Sequence, residues 1–153
     1  MSISFRFQVI PLKQVPMESQ VTKQTPTVLV VDDEKVIADT LSIILARHGF
    51  LVETAYNAES ALERARRISP ELLLSDVMLG PGLDGMHLAV ELTKSHPECK
   101  VILFSGHTST HDLIDRARHL GRSFMCLSKP LHPADLLGAI CQCLGSLPMP
   151  VRA

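Results

Sequence analysis

No apolar run among the 153 residues approaches the roughly 18 that a membrane-spanning helix needs. The N-terminus has one Arg and only a short, interrupted apolar stretch, which argues against a secretory signal. Neither sign of charge dominates. Fifteen Lys and Arg against sixteen Asp and Glu leave a formal charge of −1, so no nucleic-acid or phospholipid footprint is written into the balance. Among Cys99, Cys126, Cys141 and Cys143 there is no CxxC pair and no extracellular disulfide spacing; they read as reduced thiols of a cytoplasmic protein. Cys141 and Cys143, two apart in a helical stretch, point away from each other and cannot share a metal. No glycine-rich phosphate loop follows the first strand-like run, which weakens a dinucleotide-binding reading.

What is present is alternation. One domain is expected at this length. From Thr27 onward, short apolar runs at 28–31, 51–55, 72–75, 101–104 and 124–127 alternate with helical patterns. The first helix, 34–48, carries Val36, Ile37, Thr40, Leu41, Ile44 and Leu45 on one face and stops at Gly49. The second, 58–68, ends before Pro70, which cannot donate a helix hydrogen bond. The third, about 85–95, precedes Pro97, with Asp84 a loop or cap residue at its start. The fourth, about 110–120, is closed by Gly121. The fifth, 133–144, has Pro133 in its first turn and Gly145 after its end. Strand and helix repeated five times imply a doubly wound α/β fold, a parallel sheet with helices on both faces. Residues 1–26, with Pro11, Pro16 and Pro26 and no helical period, read as a flexible leader, with Met17 a candidate start; an added edge strand or a partner-docking arm is the alternative. Residues 146–153 read as a short tail with no output domain, hence no direct DNA binding.

The chemistry gathers where these strands end. Asp32-Asp33 close the first apolar run, and Asp76 closes the third. Adjacent carboxylates at the rim of a core repel, and burial raises their pKa unless something positive offsets them. A cation is the economical explanation, because ligands of open parallel sheets bind at the carboxyl ends of strands. Helix capping accounts for one of the pair, but not for Asp76. Ser105 ends the fourth run in Phe104-Ser105-Gly106, and Lys129 follows the fifth in Ser128-Lys129-Pro130.

With Asp32-Asp33, Asp76, Ser105 and Lys129-Pro130 together, residues 27–145 resemble the receiver domain of two-component response regulators. The resemblance implies a flavodoxin-like sheet of five parallel strands, with phosphoryl transfer from a histidine kinase or histidine phosphotransfer protein onto Asp76. It also implies Mg²⁺ held by Asp33, Asp76 and the backbone carbonyl of Met78, with Asp32 acting through water. Lys129 and Ser105 would bind phosphoryl oxygens. The surface of the fourth helix, fifth strand and fifth helix would then switch to control a downstream protein. The Lys129-Pro130 bond is expected to be cis. Hydrolysis beyond slow autodephosphorylation is not expected, so the chain is not an enzyme in its own right.

Three departures stand out. The loop from Met78 to Gly85, MLGPGLDG, is one residue longer and richer in glycine than usual. The stretch from Ser105 to Lys129 is slightly long, which the turn Gly121-Arg122-Ser123 absorbs. Cys126 stands where an aromatic residue is common, so a tyrosine-type rotamer switch is not expected. His107 and Met78 occupy positions that in this family tune water access to the phosphoryl group, and Gly106 keeps the pocket mouth open; His107 solvating a loop is the bland alternative. His107 and His111 have metal-pair spacing but no third ligand. Arg64, Arg66 and Arg67 read as a solvated face. Two further readings are a receiver-shaped interaction module that works without phosphorylation and a metal-dependent hydrolase. The latter lacks a DxD motif and a substrate cap.

Overall fold

The computed structural model describes residues 24–148. The expectations placed on residues 1–23, including Met17 as a start, and on the end of the tail lie outside the described residues. Among the described residues ten elements alternate: β1 (Thr27–Val31), α1 (Lys35–Arg47), β2 (Leu51–Ala55), α2 (Ala58–Ile68), β3 (Leu72–Asp76), α3 (Gly85–Ser95), β4 (Lys100–Ser105), α4 (Thr110–His119), β5 (Met125–Ser128) and α5 (Pro133–Leu144). The strands form one sheet in the order β2-β1-β3-β4-β5, every pair parallel. This is the doubly wound flavodoxin-like arrangement.

Alternating side chains separate the core into two layers, as a sheet covered on both faces requires. Leu29, Val31, Leu73 and Leu103 pack with Ala61, Ala65, Leu88 and Leu92 under α2 and α3. Val28, Val30, Leu72, Leu74, Ile102 and Phe104 pack with Leu41, Leu45, Leu136 and Ile140 under α1 and α5. Local signals set the helix ends. Asn57 caps α2 by accepting the Ser60 amide at 2.8 Å, and Ser109 caps α4 by accepting that of Asp112 at 3.1 Å. Gly145, at φ 78°, closes α5 in the left-handed region.

Two expectations shift. The fifth strand lies one residue later than 124–127, because pairing continues to Ser105↔Ser128 and the Lys129 amide still donates to the Ser105 carbonyl at 3.0 Å. The apolar face of α1 is also rotated. Its buried row is Ala38, Leu41 and Leu45, while Val36 is 77% exposed. Val36, Ile37 and Ile44 instead line an apolar groove against Pro130 and Leu131, with Lys129 in its wall.

Register aligns the strand ends. Val31 pairs with Ser75, Asp76 with Phe104, and Ser105 with Ser128. Asp32, Asp76, Ser105 and Lys129 therefore reach one edge of the sheet. There β1 has β2 on one side and β3 on the other, the place where a doubly wound sheet opens a crevice.

Candidate functional site

At this edge Asp32, Asp33 and Asp76 each present a carboxylate oxygen, all three within 4.8 Å of one another. Asp32 and Asp76 are buried and Asp33 is exposed. Hydrogen bonds hold the buried pair. Asp32 Oδ1 accepts the Glu34 amide at 2.9 Å, and Asp76 Oδ1 accepts the Met78 amide at 3.0 Å. The Lys129 ammonium donates to Asp76 Oδ2 at 2.8 Å and lies 3.5 Å from Asp32 Oδ2. One cation therefore offsets two buried anions. Its charge rests on the Phe104 ring, 5.2 Å from the ring centroid. Capping does not explain the Asp pair, since Glu34 precedes α1 with no side-chain cap.

The electrostatics follow from this crowding. Burial lifts the Asp32 carboxyl to about 6, with Asp76 adding to the rise and the Glu34 amide and Lys129 opposing it. Burial alone would lower the pKa of Lys129, but its bond to Asp76 and the charges of both aspartates outweigh that and raise it. One ammonium against three carboxylates leaves the cluster net negative. All the donors are oxygen, the ligand type of Mg²⁺ and Ca²⁺, so the residues present fit a hard divalent cation.

Ser105 is buried, and its Oγ accepts the amides of His107 at 3.3 Å and Thr108 at 3.1 Å. With its lone pairs engaged, the hydroxyl proton is left to donate. The bonds also tie the loop between β4 and α4 to the strand end. Lys129-Pro130 is cis, as expected. Gly106 is exposed, and a Cβ there would lie 3.6 Å from Lys129 Cβ. His107 is exposed. The His111 ring lies 3.2 Å from Asp115 within α4, and Arg64 pairs with Glu53 at 3.0 Å. Met78 presents its side chain outward, 55% exposed. Cys126 is half-buried against the α2–α3 core layer, and burial pushes its thiol pKa up.

The long loop after β3 is folded onto the site. Gly80, at φ 73°, brings its backbone close to Asp33: a Cβ there would lie 3.5 Å from Asp33 Oδ2. Gly85 is tighter still, since a Cβ would fall 1.9 Å from the Asp76 carbonyl oxygen, and its amide donates to the Val77 carbonyl at 2.8 Å. Asp84 caps α3 through the His87 amide at 2.9 Å and also bonds Arg116 of α4. Sequence reasoning placed Asp84 at the helix start but missed Arg116, 32 residues away, and Phe104 beneath Lys129. No local signal announces either contact.

The chain and its fold have counterparts among known proteins. The family model of the response regulator receiver domain matches residues 28–141. The chain is 37% identical over 91 residues to "Probable transcriptional regulatory protein TcrX" of Mycobacterium tuberculosis; the match takes in 60% of this chain but only 38% of that protein's length. A CheY-like response regulator receiver domain protein of Methanospirillum hungatei superposes with a TM-score of 0.72 at 30% identity, over 79% of this chain and 94% of the other. The receiver domain of NtrX from Brucella abortus gives 0.69 at 34% identity, over 77% and 98%. Since the family model spans most of a chain whose acidic cluster and shared lysine meet at the carboxyl edge of a five-stranded parallel sheet, the chain belongs to the response regulator receiver domain family of two-component signalling.

Proposed function

We propose that this chain is a phosphoacceptor switch that takes a phosphoryl group on Asp76 from a histidine kinase or histidine phosphotransfer protein and passes the signal to a protein partner. The observation that carries the reading is the single ammonium of Lys129 bonded to Asp76 and shared with Asp32 inside a cluster of three carboxylates. Asp76 ends the middle strand of the sheet, and of the two buried carboxylates it holds the ammonium more tightly, at 2.8 Å against 3.5 Å for Asp32.

In the transfer, an Asp76 carboxylate oxygen donates an electron pair to phosphorus. The bond from phosphorus to the donor's imidazole nitrogen breaks, and its pair stays on that nitrogen. Charge on the transferring oxygens needs compensation, and little else is required of the protein. Lys129 supplies a fixed positive charge, and the Ser105 hydroxyl donates a hydrogen bond. Asp33, Asp76 and the Met78 carbonyl would hold Mg²⁺, with Asp32 reaching it through water. Bound there, the ion neutralises carboxylate and phosphoryl charge together. Because Ser105 Oγ also accepts the amides of His107 and Thr108, a hydroxyl that donates to a phosphoryl oxygen draws the loop leading into α4 inward with it. Met78 and His107 stand at the mouth and govern how readily water reaches the acyl phosphate. Beyond that slow self-hydrolysis the chain turns nothing over. The groove lined by Val36, Ile37 and Ile44 adjoins Lys129 and offers an apolar seat for the helix that carries the donor histidine.

Incubation with a small phosphodonor, with and without Mg²⁺, tests the reading by intact mass. One phosphoryl group per chain is expected on the wild type with the metal, and none on Asp76→Asn. Undiminished labelling of that variant, or labelling indifferent to Mg²⁺, overturns it.

A further inference from the structure

Asp84 uses both of its carboxylate oxygens. Oδ1 accepts the His87 amide at 2.9 Å, which starts α3, and lies 2.9 Å from His87 Nδ1; Oδ2 accepts from Arg116 of α4. The next residue, Gly85, is the one pressed against the backbone of the acceptor. Its amide bonds the Val77 carbonyl, and it approaches the Asp76 carbonyl so closely that a Cβ would fall 1.9 Å away. A continuous path of direct contacts thus runs from the last turn of α4 through Asp84 and Gly85 to Asp76, separate from the path through Ser105 and the loop leading into α4. Asp84 is held ionised: burial opposes its charge, but the His87 amide and the Arg116 guanidinium outweigh burial and lower its pKa.

We infer that Arg116 is a positioning residue for phosphorylation, acting through Asp84 to fix the loop after β3 against Asp76 and so coupling the place of α4 to the reactivity of the acceptor. The inference rests on the proposal that Asp76 is the phosphoacceptor. Coupling between sites is reciprocal, so a partner that displaces α4 and breaks this pair changes how readily Asp76 becomes phosphorylated. The pair is partly exposed, with side chains 40% and 29% accessible, which keeps the effect moderate.

The Asp84→Asn variant separates this role from capping, because Asn caps helices as well as Asp yet loses the charge. Arg116→Ala and Asp84→Asn should each slow labelling from a small phosphodonor by about 1.5- to 5-fold, the range of a partly exposed ion pair. The double variant should be no slower than either single one, and Arg116→Lys should recover most of the rate. Slowing that multiplies in the double variant, or a lowered thermal midpoint with unchanged labelling, overturns the inference. A wild type that takes no label at all would sink the phosphoacceptor reading instead. Amide resonances read the coupling in that event: Val77 and Gly85 should shift alike in Arg116→Ala and Asp84→Asn, and unmoved resonances overturn the inference.

Discussion

Asp32 shows how a single residue carries a cost that only the assembled site removes. It is fully buried, and its folded-state carboxyl holds its proton up to about 6 against 3.8 ordinarily. The folded chain therefore binds more protons than the unfolded chain between about pH 4 and 6, so the contribution of Asp32 to stability falls as pH rises through that window. At about 1.4 kcal/mol per pKa unit, the loss reaches at most about 3 kcal/mol above pH 6 in the absence of a divalent ion. Asp32→Asn should remove that slope and make the metal-free protein more stable at pH 7, by about 1–3 kcal/mol. Urea unfolding of both proteins at pH 4, 5, 6 and 7 measures it. Parallel profiles for the two would show that Asp32 is not the strained group.

Among the elements, α3 and α1 serve the site in opposite ways. The first turn of α3 is clamped onto the acceptor strand, and only glycine permits it. Gly85→Ala would push a methyl group into the Asp76 carbonyl; backbone cannot give way as a flexible side chain does. Overpacking of that kind costs about 1–3 kcal/mol, and the same denaturant measurement should show it, together with slower phosphorylation. A neutral Gly85→Ala would mean that α3 moves away freely. The exposed edge of α1 should behave differently. Val36→Glu changes a residue that is 77% exposed, so stability should hold within about 0.5 kcal/mol. Transfer from a phosphorylated histidine donor protein should slow several-fold while labelling by a small phosphodonor stays the same. Equal slowing of both reactions would remove the groove from the donor's path.

For the molecule as a whole, the strand ends were legible because polarity changes abruptly there: Val31 to Asp32, Leu74 to Ser75-Asp76, Leu127 to Ser128-Lys129. Parallel strands that start and stop in register bring such ends together, so the convergence of Asp32, Asp76, Ser105 and Lys129 follows from alternation alone. The rotation of α1 was not legible, because Val36, Ile37 and Ile44 have core composition and only packing reveals that they face a groove. Arg116 was hidden for a related reason, since one charge on a polar helix carries no mark of its partner. The acidic cluster exists only in the assembled edge. A ligand that binds only the folded chain stabilises it by mass action, about 2.7 kcal/mol at a hundred times its dissociation constant. Mg²⁺ should therefore raise the thermal midpoint of the wild type and leave Asp33→Asn unmoved, while the two start from similar midpoints because Asp33 is exposed. An equal rise in both would place the ion elsewhere. The central claim is that a phosphoryl group is accepted by one particular carboxylate. Borohydride reduction after phosphorylation, followed by peptide sequencing, tests it most directly, since an aspartyl phosphate is converted to homoserine while free aspartate is untouched. The prediction is homoserine at position 76 alone, dependent on Mg²⁺; homoserine at position 32 or 33, or at none, would contradict it.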